Sequence, residues 1–375
     1  MPLATARIAP PRGRAATIDS VTITIHDVAR RARVSLTTVS RAFTQPALLR
    51  TETRERVLAA ARALDYQPNR AARSLITGKT GNFGLIVPDL GNPFYPGVLR
   101  GVQARAHEAG YAVLLADSDE DPVAEVTLVQ LMAKQVDGII VCAPFSGDRE
   151  LRRLAAATSL VLVNRRCTPI PAVLMDIARG MRQAIAHLHG LGHRRCAYLG
   201  GPAAAWSNRE RLRGLHAAAQ STGLDLVELG PFEPKFEGGI EGADRAVEAG
   251  VTALVAYNDL MALGALRRLA ERGVRVPDAM SVVGFDDLLF ASMCAPPLTT
   301  VTMPMEAAGR AAVDLLLARI AAAPPAGATP TTELTTQLIV RGTTAPPTLA
   351  AVAGAAAQPR VAKGSAAVVG VRARR

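Results

Sequence analysis

From residue 83 onward the chain alternates two apolar rhythms. Short, nearly unbroken apolar runs give way to longer stretches whose apolar positions recur every three or four residues. The first rhythm predicts buried strands, and the second predicts helices laid over them. The predicted strands are 83–87, 112–116, 138–142, 160–163, 195–199, 253–256 and 281–284. The predicted helices are 98–109, 123–134, 178–189, 209–222, 239–248, 260–271 and 305–320. Such βαβ repetition predicts parallel sheets with helices on both faces. The units are too many for one sheet of ordinary width, so the pattern predicts an α/β core of two lobes.

Before residue 80 the rhythm is purely helical. In TIHDVARRARVSLTTVSRAF, residues 24–43, Thr24 with Asp27 has the capping-box spacing. A first helix over about 25–31 turns Ile25, Val28 and Ala29 inward. Ala32, Arg33 and Val34 make a turn, and Ser35 caps a second helix over 36–43. Val39 and Ala42 or Phe43 face inward, leaving Leu36, Thr37, Thr38 and Arg41 outside. Small hydroxyls and an arginine at the start of an exposed helix suit the floor of a DNA major groove. Thr51 caps a third helix, 52–64, whose Val57, Leu58, Ala61 and Leu64 close a small all-α head. Pro68 ends that unit. The stretch 69–76, NRAARSLI, has little helical tendency of its own, and 77–81 is a linker. Residues 1–22 and 343–375 are predicted to be disordered.

Charge sharpens this division. Residues 1–80 hold 14 Lys and Arg against 5 Asp and Glu, whereas residues 81–340 hold 23 against 27. A basic head on a mildly acidic body implies a polyanion for the head and another task for the body. Cys142, Cys167, Cys196 and Cys294 are scattered without metal-ligand spacing, so neither a zinc site nor a disulfide framework is expected. No apolar run has the length of a membrane span, and the N-terminus lacks the apolar segment of a signal peptide. The chain is therefore expected in the cytoplasm, at the nucleoid, with no membrane partner.

Phosphate-loop, dinucleotide and nucleophile-elbow motifs are absent, so no enzyme activity, cofactor or metal is expected. Gly200-Gly201-Pro202 follows a strand, but the proline lacks a donor that a phosphate would need. Polar and aromatic residues do collect after the predicted strands, where ligands sit in α/β sheets. They are Asn92, Phe94 and Tyr95 after the first strand, Asn164 and Arg165 after the fourth, Arg211 after the fifth, Asn258 after the sixth and Asp286 after the seventh. Amides, carboxylates and a guanidinium bind hydroxyls, and an aromatic face covers a sugar's C–H face, so these residues suit a polyhydroxyl ligand held between two lobes.

The full set of motifs resembles the LacI family of transcriptional regulators over about residues 24–343. TIHDVARRARVSLTTVSRAF resembles its helix-turn-helix and YQPNRAARSLITGKT its hinge. GLIVPDLGNPFY, GHRRCAYLGGP, AYNDLMALGAL, VVGFDD, PPLTTV and LIVRG follow in family order, in a core like that of periplasmic sugar-binding proteins. The resemblance implies a DNA-binding head at 23–67, a hinge helix and linker at 68–80, and a ligand-binding and dimerisation core at 81–342. Lobe 1 would take about 81–176 and 303–330, and lobe 2 about 177–302 and 331–342. It implies a homodimer, or a tetramer of dimers, repressing from a palindromic double-stranded operator under control of a sugar or sugar derivative.

By the same resemblance Leu36, Thr37 and Arg41 read bases, while Thr24, Ser35 and Thr38 position the helix on phosphates. Asn69, Ala72 and Arg73 reach the minor groove, with Leu75 as a wedge at the central step. Asn92, Phe94, Tyr95, Asn164, Arg165, Arg211, Asn258 and Asp286 contact the effector. Asn164 stands where Asp is frequent and Met303 where Gln is frequent, a departure from the usual pentose or hexose site. Ala205 lacks the charge that purine-responsive relatives place nearby. The rival readings are a solute-binding protein without a DNA role, a sugar-modifying enzyme, and a regulator in which the ligand activates or corepresses.

Overall fold

A computed structural model describes residues 23–66, 78–321 and 329–348. The chain divides into two compact units, residues 1–78 and 79–375.

In the first unit, helices α1 (Ile25–Ala32), α2 (Leu36–Thr44) and α3 (Thr51–Ala63) enclose one small core. Val28, Ala29, Ala32, Val39, Ala42, Val57, Ala60 and Ala61 are buried there, with Phe43 and Tyr66 packed on its edge. Alanine dominates because helices this short close up only where side chains are small. Ala32 belongs to α1, and the turn comes at Arg33, in the left-handed region at φ 52°. Arg56 Nε donates to the Ala32 carbonyl (3.1 Å) and ties α3 to that turn. The cap of α3 is Arg50, with Thr51 already inside the helix, so α3 starts one residue earlier than the Thr51 hydroxyl suggested.

The second unit carries two six-stranded sheets among its described residues. Lobe 1 is built on β1 (Asn82–Val87), β2 (Ala112–Asp117), β3 (Gly138–Cys142), β4 (Leu160–Val163), β5 (Ala172–Met175) and β11 (Thr331–Leu334), in the order β11-β5-β4-β3-β1-β2, all parallel. Its helices are α4 (Phe94–Glu108), α5 (Pro122–Met132), α6 (Asp148–Ala157) and α12 (Met305–Ala321). Lobe 2 holds β6 (Arg195–Leu199), β7 (Asp225–Leu229), β8 (Ala253–Ala256), β9 (Ser281–Asp286), β10 (Thr299–Thr302) and β12 (Gln337–Ile339), in the order β12-β10-β9-β8-β6-β7. Its helices are α7 (Ile177–Gly190), α8 (Trp206–Thr222), α9 (Phe236–Glu248), α10 (Asp259–Glu271) and the short α11 (Leu289–Met293). β12 runs antiparallel to β10, the one departure from the expected parallel pattern among the described strands.

Three passages of chain join the lobes: β5 to α7, β10 to α12, and β11 to β12. The last corrects an expected boundary. Residues 331–334 pair with β5 in lobe 1, so the chain crosses after 334 and not at 330. The expected disorder from 343 is likewise corrected for its first residues. Thr343 is fully buried, accepting from Thr299 N–H (2.8 Å) and donating to the Val282 carbonyl (2.7 Å). His193 Nε2 lies 3.0 Å from the Ala345 carbonyl. Chain entry is also fixed: Asp137 accepts from Thr80 N–H, the Thr80 hydroxyl and Gly81 N–H.

One core runs through both lobes on the side of α4, α12, α7 and α8, and each lobe has a second core on its other face. Glycines set the helix spacing. A Cβ on Gly101 of α4 would collide with the Glu306 carbonyl of α12. Gly101→Ala therefore forces these helices apart, which costs about 1–3 kcal/mol by overpacking. The expected outcome is a lower urea midpoint for the core with the slope unchanged.

Candidate functional site

The head presents a capped, exposed helix. Thr24 donates its N–H and hydroxyl to Asp27 Oδ2 (3.0 and 2.7 Å), and these bonds hold the Asp27 carboxyl below its ordinary range. Ser35 Oγ accepts from Thr38 N–H (3.1 Å) and shares a 2.9 Å hydrogen bond with Thr38 Oγ1. Leu36, Thr37 and Arg41 stand exposed on α2, and Thr38 is half-buried. Leu36 is 40% exposed. Arg30, Arg31, Arg33 and Arg41 supply exposed positive charge around it. Asn69, Ala72, Arg73 and Leu75 lie outside the described residues.

In the core, residues from both lobes meet in one cleft. Asn92, Phe94, Tyr95, Asn164, Arg211, Asn258 and Asp286 line it, as the strand-end pattern predicted. Ala143, Ser207, Tyr257 and Met303 complete the lining. The side chains leave about 20 Å³ between them, room for about one water molecule. A ligand of sugar size does not fit the cleft in this arrangement. Strain gathers at the same place. Ala143, Asn164 and Asp286 follow or end strands β3, β4 and β9, and all have positive φ (42°, 56° and 122°) although none is glycine.

Arg211 is the centre of the cleft. Its guanidinium lies between the rings of Tyr257 (4.3 Å to the centroid) and Phe285 (4.1 Å). Nη2 is 3.7 Å from Asp286 Oδ1, and both side chains are about 95% buried (4% and 5% exposed). Nε and Nη1 have no hydrogen-bond partner, nor does Asn164 Oδ1. Buried donors and acceptors are normally satisfied, so these three atoms are available to polar ligand atoms in the cleft. Burial raises the Asp286 carboxyl well above its ordinary value, against the pull of Arg211.

Neighbours hold this arrangement. The Tyr257 hydroxyl is 2.7 Å from Ser207 Oγ, and a Cβ on Gly201 would come within 2.7 Å of the Tyr257 ring. Gly201 thus makes room for an aromatic ring. Asn92 Oδ1 accepts from Phe94 N–H (3.0 Å) in a turn just before α4, and Asn258 caps α10, its Oδ1 accepting from Met261 N–H (2.9 Å). Arg165 does not line the cleft. It turns to α6, where Nη2 meets Asp148 Oδ1 at 2.6 Å. Ser207 and Tyr257 were missed in the sequence. Ser207 stands four residues before Arg211 on one helix face, a spacing that signals it. Tyr257 precedes the noted Asn258.

Behind Asp286, Asp259 accepts from the Thr300 hydroxyl (2.6 Å) and Leu288 N–H (2.8 Å). Burial pushes its carboxyl up to about 6, against an ordinary 3.8. Between those pH values the folded chain keeps a proton that the unfolded chain has released. Stability from this group is therefore lost as pH rises through that window, on the order of 3 kcal/mol in all. Urea unfolding of Asp259→Asn should show the variant gaining on the wild type from pH 4 to 7. Parallel profiles would mean that Asp259 is ionised throughout.

Comparison with known proteins agrees with this geometry. Residues 24–69 match the profile of bacterial regulatory proteins of the lacI family, and residues 185–344 match a periplasmic binding protein-like domain. The transcriptional regulator DegA of Bacillus subtilis (strain 168) is 32% identical over 76% of this chain and 88% of its own. The transcriptional repressor PurR of Haemophilus influenzae (strain PittEE) is 34% identical over 79% and 91%. The lac repressor dimer solved with operator and the anti-inducer ONPF superposes with a TM-score of 0.78, at 30% identity, over 86% of this chain and 99% of that one. A complex of the regulator CelR with cellobiose gives 0.64, at 31% identity, over 86% and 99%. The named relatives are regulators of transcription and not enzymes, and this chain belongs to the lacI family of bacterial regulatory proteins.

Proposed function

We propose that the protein is a repressor that binds a palindromic operator as a homodimer and is controlled by a small polyhydroxyl effector held between its lobes. The buried Arg211 guanidinium carries this reading: two donors are unpartnered, two rings sandwich it, and Asp286 faces it. A vicinal diol fits between guanidinium and carboxylate, accepting from one and donating to the other. Asn164 Oδ1 would take a further hydroxyl, with Phe94 and Tyr95 against the ring. The similar CelR was solved with cellobiose, which supports a sugar.

On the DNA side, Leu36, Thr37 and Arg41 read base edges, and Thr24, Ser35 and Thr38 hold the helix on phosphates. The lac repressor that this chain resembles was solved on operator DNA as a dimer. Asn69, Ala72 and Arg73 follow the minor groove, and Leu75 wedges the central step. Residues 23–67 would be the DNA-binding head and 68–80 the segment that couples it to the core. The effector works by binding one lobe arrangement better than the other, and operator and effector then oppose each other reciprocally. A cleft with about 20 Å³ to spare fits such a device, because a ring-sized ligand changes the lobe angle on entry. The protein would act in the cytoplasm.

Fluorescence anisotropy with DNA from upstream of its own gene tests both halves. Arg41→Ala should weaken operator binding by about 1–3 kcal/mol, roughly five- to 150-fold, and relax the choice of base at one position in each half-site. Arg211→Ala should bind operator as the wild type does and ignore sugars that release the wild type. Release of Arg211→Ala at the wild-type sugar concentration would sink the cleft assignment.

A further inference from the structure

A larger hollow, about 370 Å³, shares no lining residue with the cleft. Lobe 1 supplies Leu174 and Met175 at the end of β5, with Arg166 and Glu333 beside them. Lobe 2 supplies the start of α7 and one face of α8, with Trp206, Glu210 and Arg213. On α8, Trp206 and Glu210 lie one residue before Ser207 and Arg211, so adjacent faces of one helix serve the hollow and the cleft. Trp206 is the chain's only tryptophan. It is also the one residue of lobe 2, among those described, that packs against the core on lobe 1's other face.

We propose that this hollow is a second binding site, separate from the interlobe cleft, for one ring of a neutral saccharide. The half-buried indole sits in a concave wall, where a flat apolar face covers the C–H face of a pyranose. Around it stand planar donors and acceptors of both signs, which take hydroxyls in pairs. Arg166 Nη2 meets Glu333 Oε1 at 2.8 Å, and Arg213 meets Glu210. Arg166 and Glu333 are 55% and 66% exposed, so their pairing contributes little and both turn to hydroxyls at small cost. With Asp176, the carboxylates outnumber the guanidiniums three to two, which disfavours a phosphorylated sugar. The volume reaches the range of small-ligand pockets, which begins at about 300 Å³. Because both lobes wall the hollow, an occupant biases the same lobe movement that the cleft ligand biases, and the two sites are coupled.

Trp206 emission reads this site directly. The full chain is titrated with glucose, galactose, ribose, cellobiose and glucose 6-phosphate, as wild type, as Arg211→Ala, and as the surface double variant Arg166→Ala with Glu333→Ala. At least one neutral sugar should change the emission saturably in the wild type and equally in Arg211→Ala, and glucose 6-phosphate should not. In the double variant the apparent Kd for that sugar should rise by about tenfold or more, with operator affinity and circular dichroism unchanged. The second site is overturned if the response vanishes in Arg211→Ala, since the indole then reports only cleft closure. It is also overturned if the double variant titrates like the wild type, or if none of the neutral sugars gives a saturable change. Failure of the cleft assignment has a different sign: Arg211→Ala would still release operator with sugar, whatever Trp206 does.

Discussion

A guanidinium taken out of water must be compensated, and the core is arranged around that need at Arg211. Burying an unpaired charge costs several kcal/mol even after relaxation. Two ring faces and one carboxylate at 3.7 Å offset only part of this, and two donors are left over. The partial compensation has structural consequences at a distance. Gly201 is bare so that the Tyr257 ring can lie where it does, and Ser207 pins that ring's hydroxyl. β9 carries the acid Asp286 into the interior at a strained φ of 122°. Asp259, Thr300 and the Leu288 N–H then brace the loop beyond. A ligand that meets the leftover donors relieves a cost already built into the fold, and this gives it leverage over the lobes.

That leverage is transmitted because the lobes are joined by three short passages and share one continuous core on a single side. In the proposed mechanism, lobe movement would be a change of angle about those passages and not a separation. The passage after β11 matters here. A crossing at 330 would have left β5 as the edge of its sheet, next to the joint. β11 covers that edge with a full parallel ladder, so the sheet beside the joint is hydrogen-bonded on both sides of β5.

The local pattern revealed most of this architecture. Strands with continuous apolar runs, such as Gly138–Cys142 and Ala253–Ala256, have the predicted bounds because both of their faces are buried. Five described strands were not expected: TTVT, TTEL, QLI and DLVEL, in which polar residues interrupt or flank a short run, and β5, AVLM, which is wholly apolar but only four residues long. Thr299 and Thr300 are nonetheless fully buried, because their hydroxyls bond to Arg341 N–H and Asp259, partners about forty residues away in sequence. The start of α4 was expected four residues late, since Pro93 and Pro96 look like loop; a proline in the first turn gives up only an N–H that has no helical partner. In the site, seven of the eight expected effector residues converge, because strand ends dictate their location whatever their partners. Arg165 diverges because Asp148, on a helix that the pattern had not shown, captures it first.

The head follows a different logic, in which intrinsic order decides what is left to bind. Asp27 accepts from the Thr24 hydroxyl, and Ser35 and Thr38 bond to each other, so these hydroxyls start two short helices and are fixed in place at their ends. Short helices in a mostly alanine core need such caps. What remains unspent on α2 is Leu36, Thr37 and Arg41: one apolar contact, one small hydroxyl and one bidentate donor. In the proposed role each would suit a different feature of a base pair: the thymine methyl, a mixed donor and acceptor edge, and guanine O6 and N7. In that role sequence choice would rest on three exposed side chains outside the small core, so they can vary without disturbing the domain that presents them.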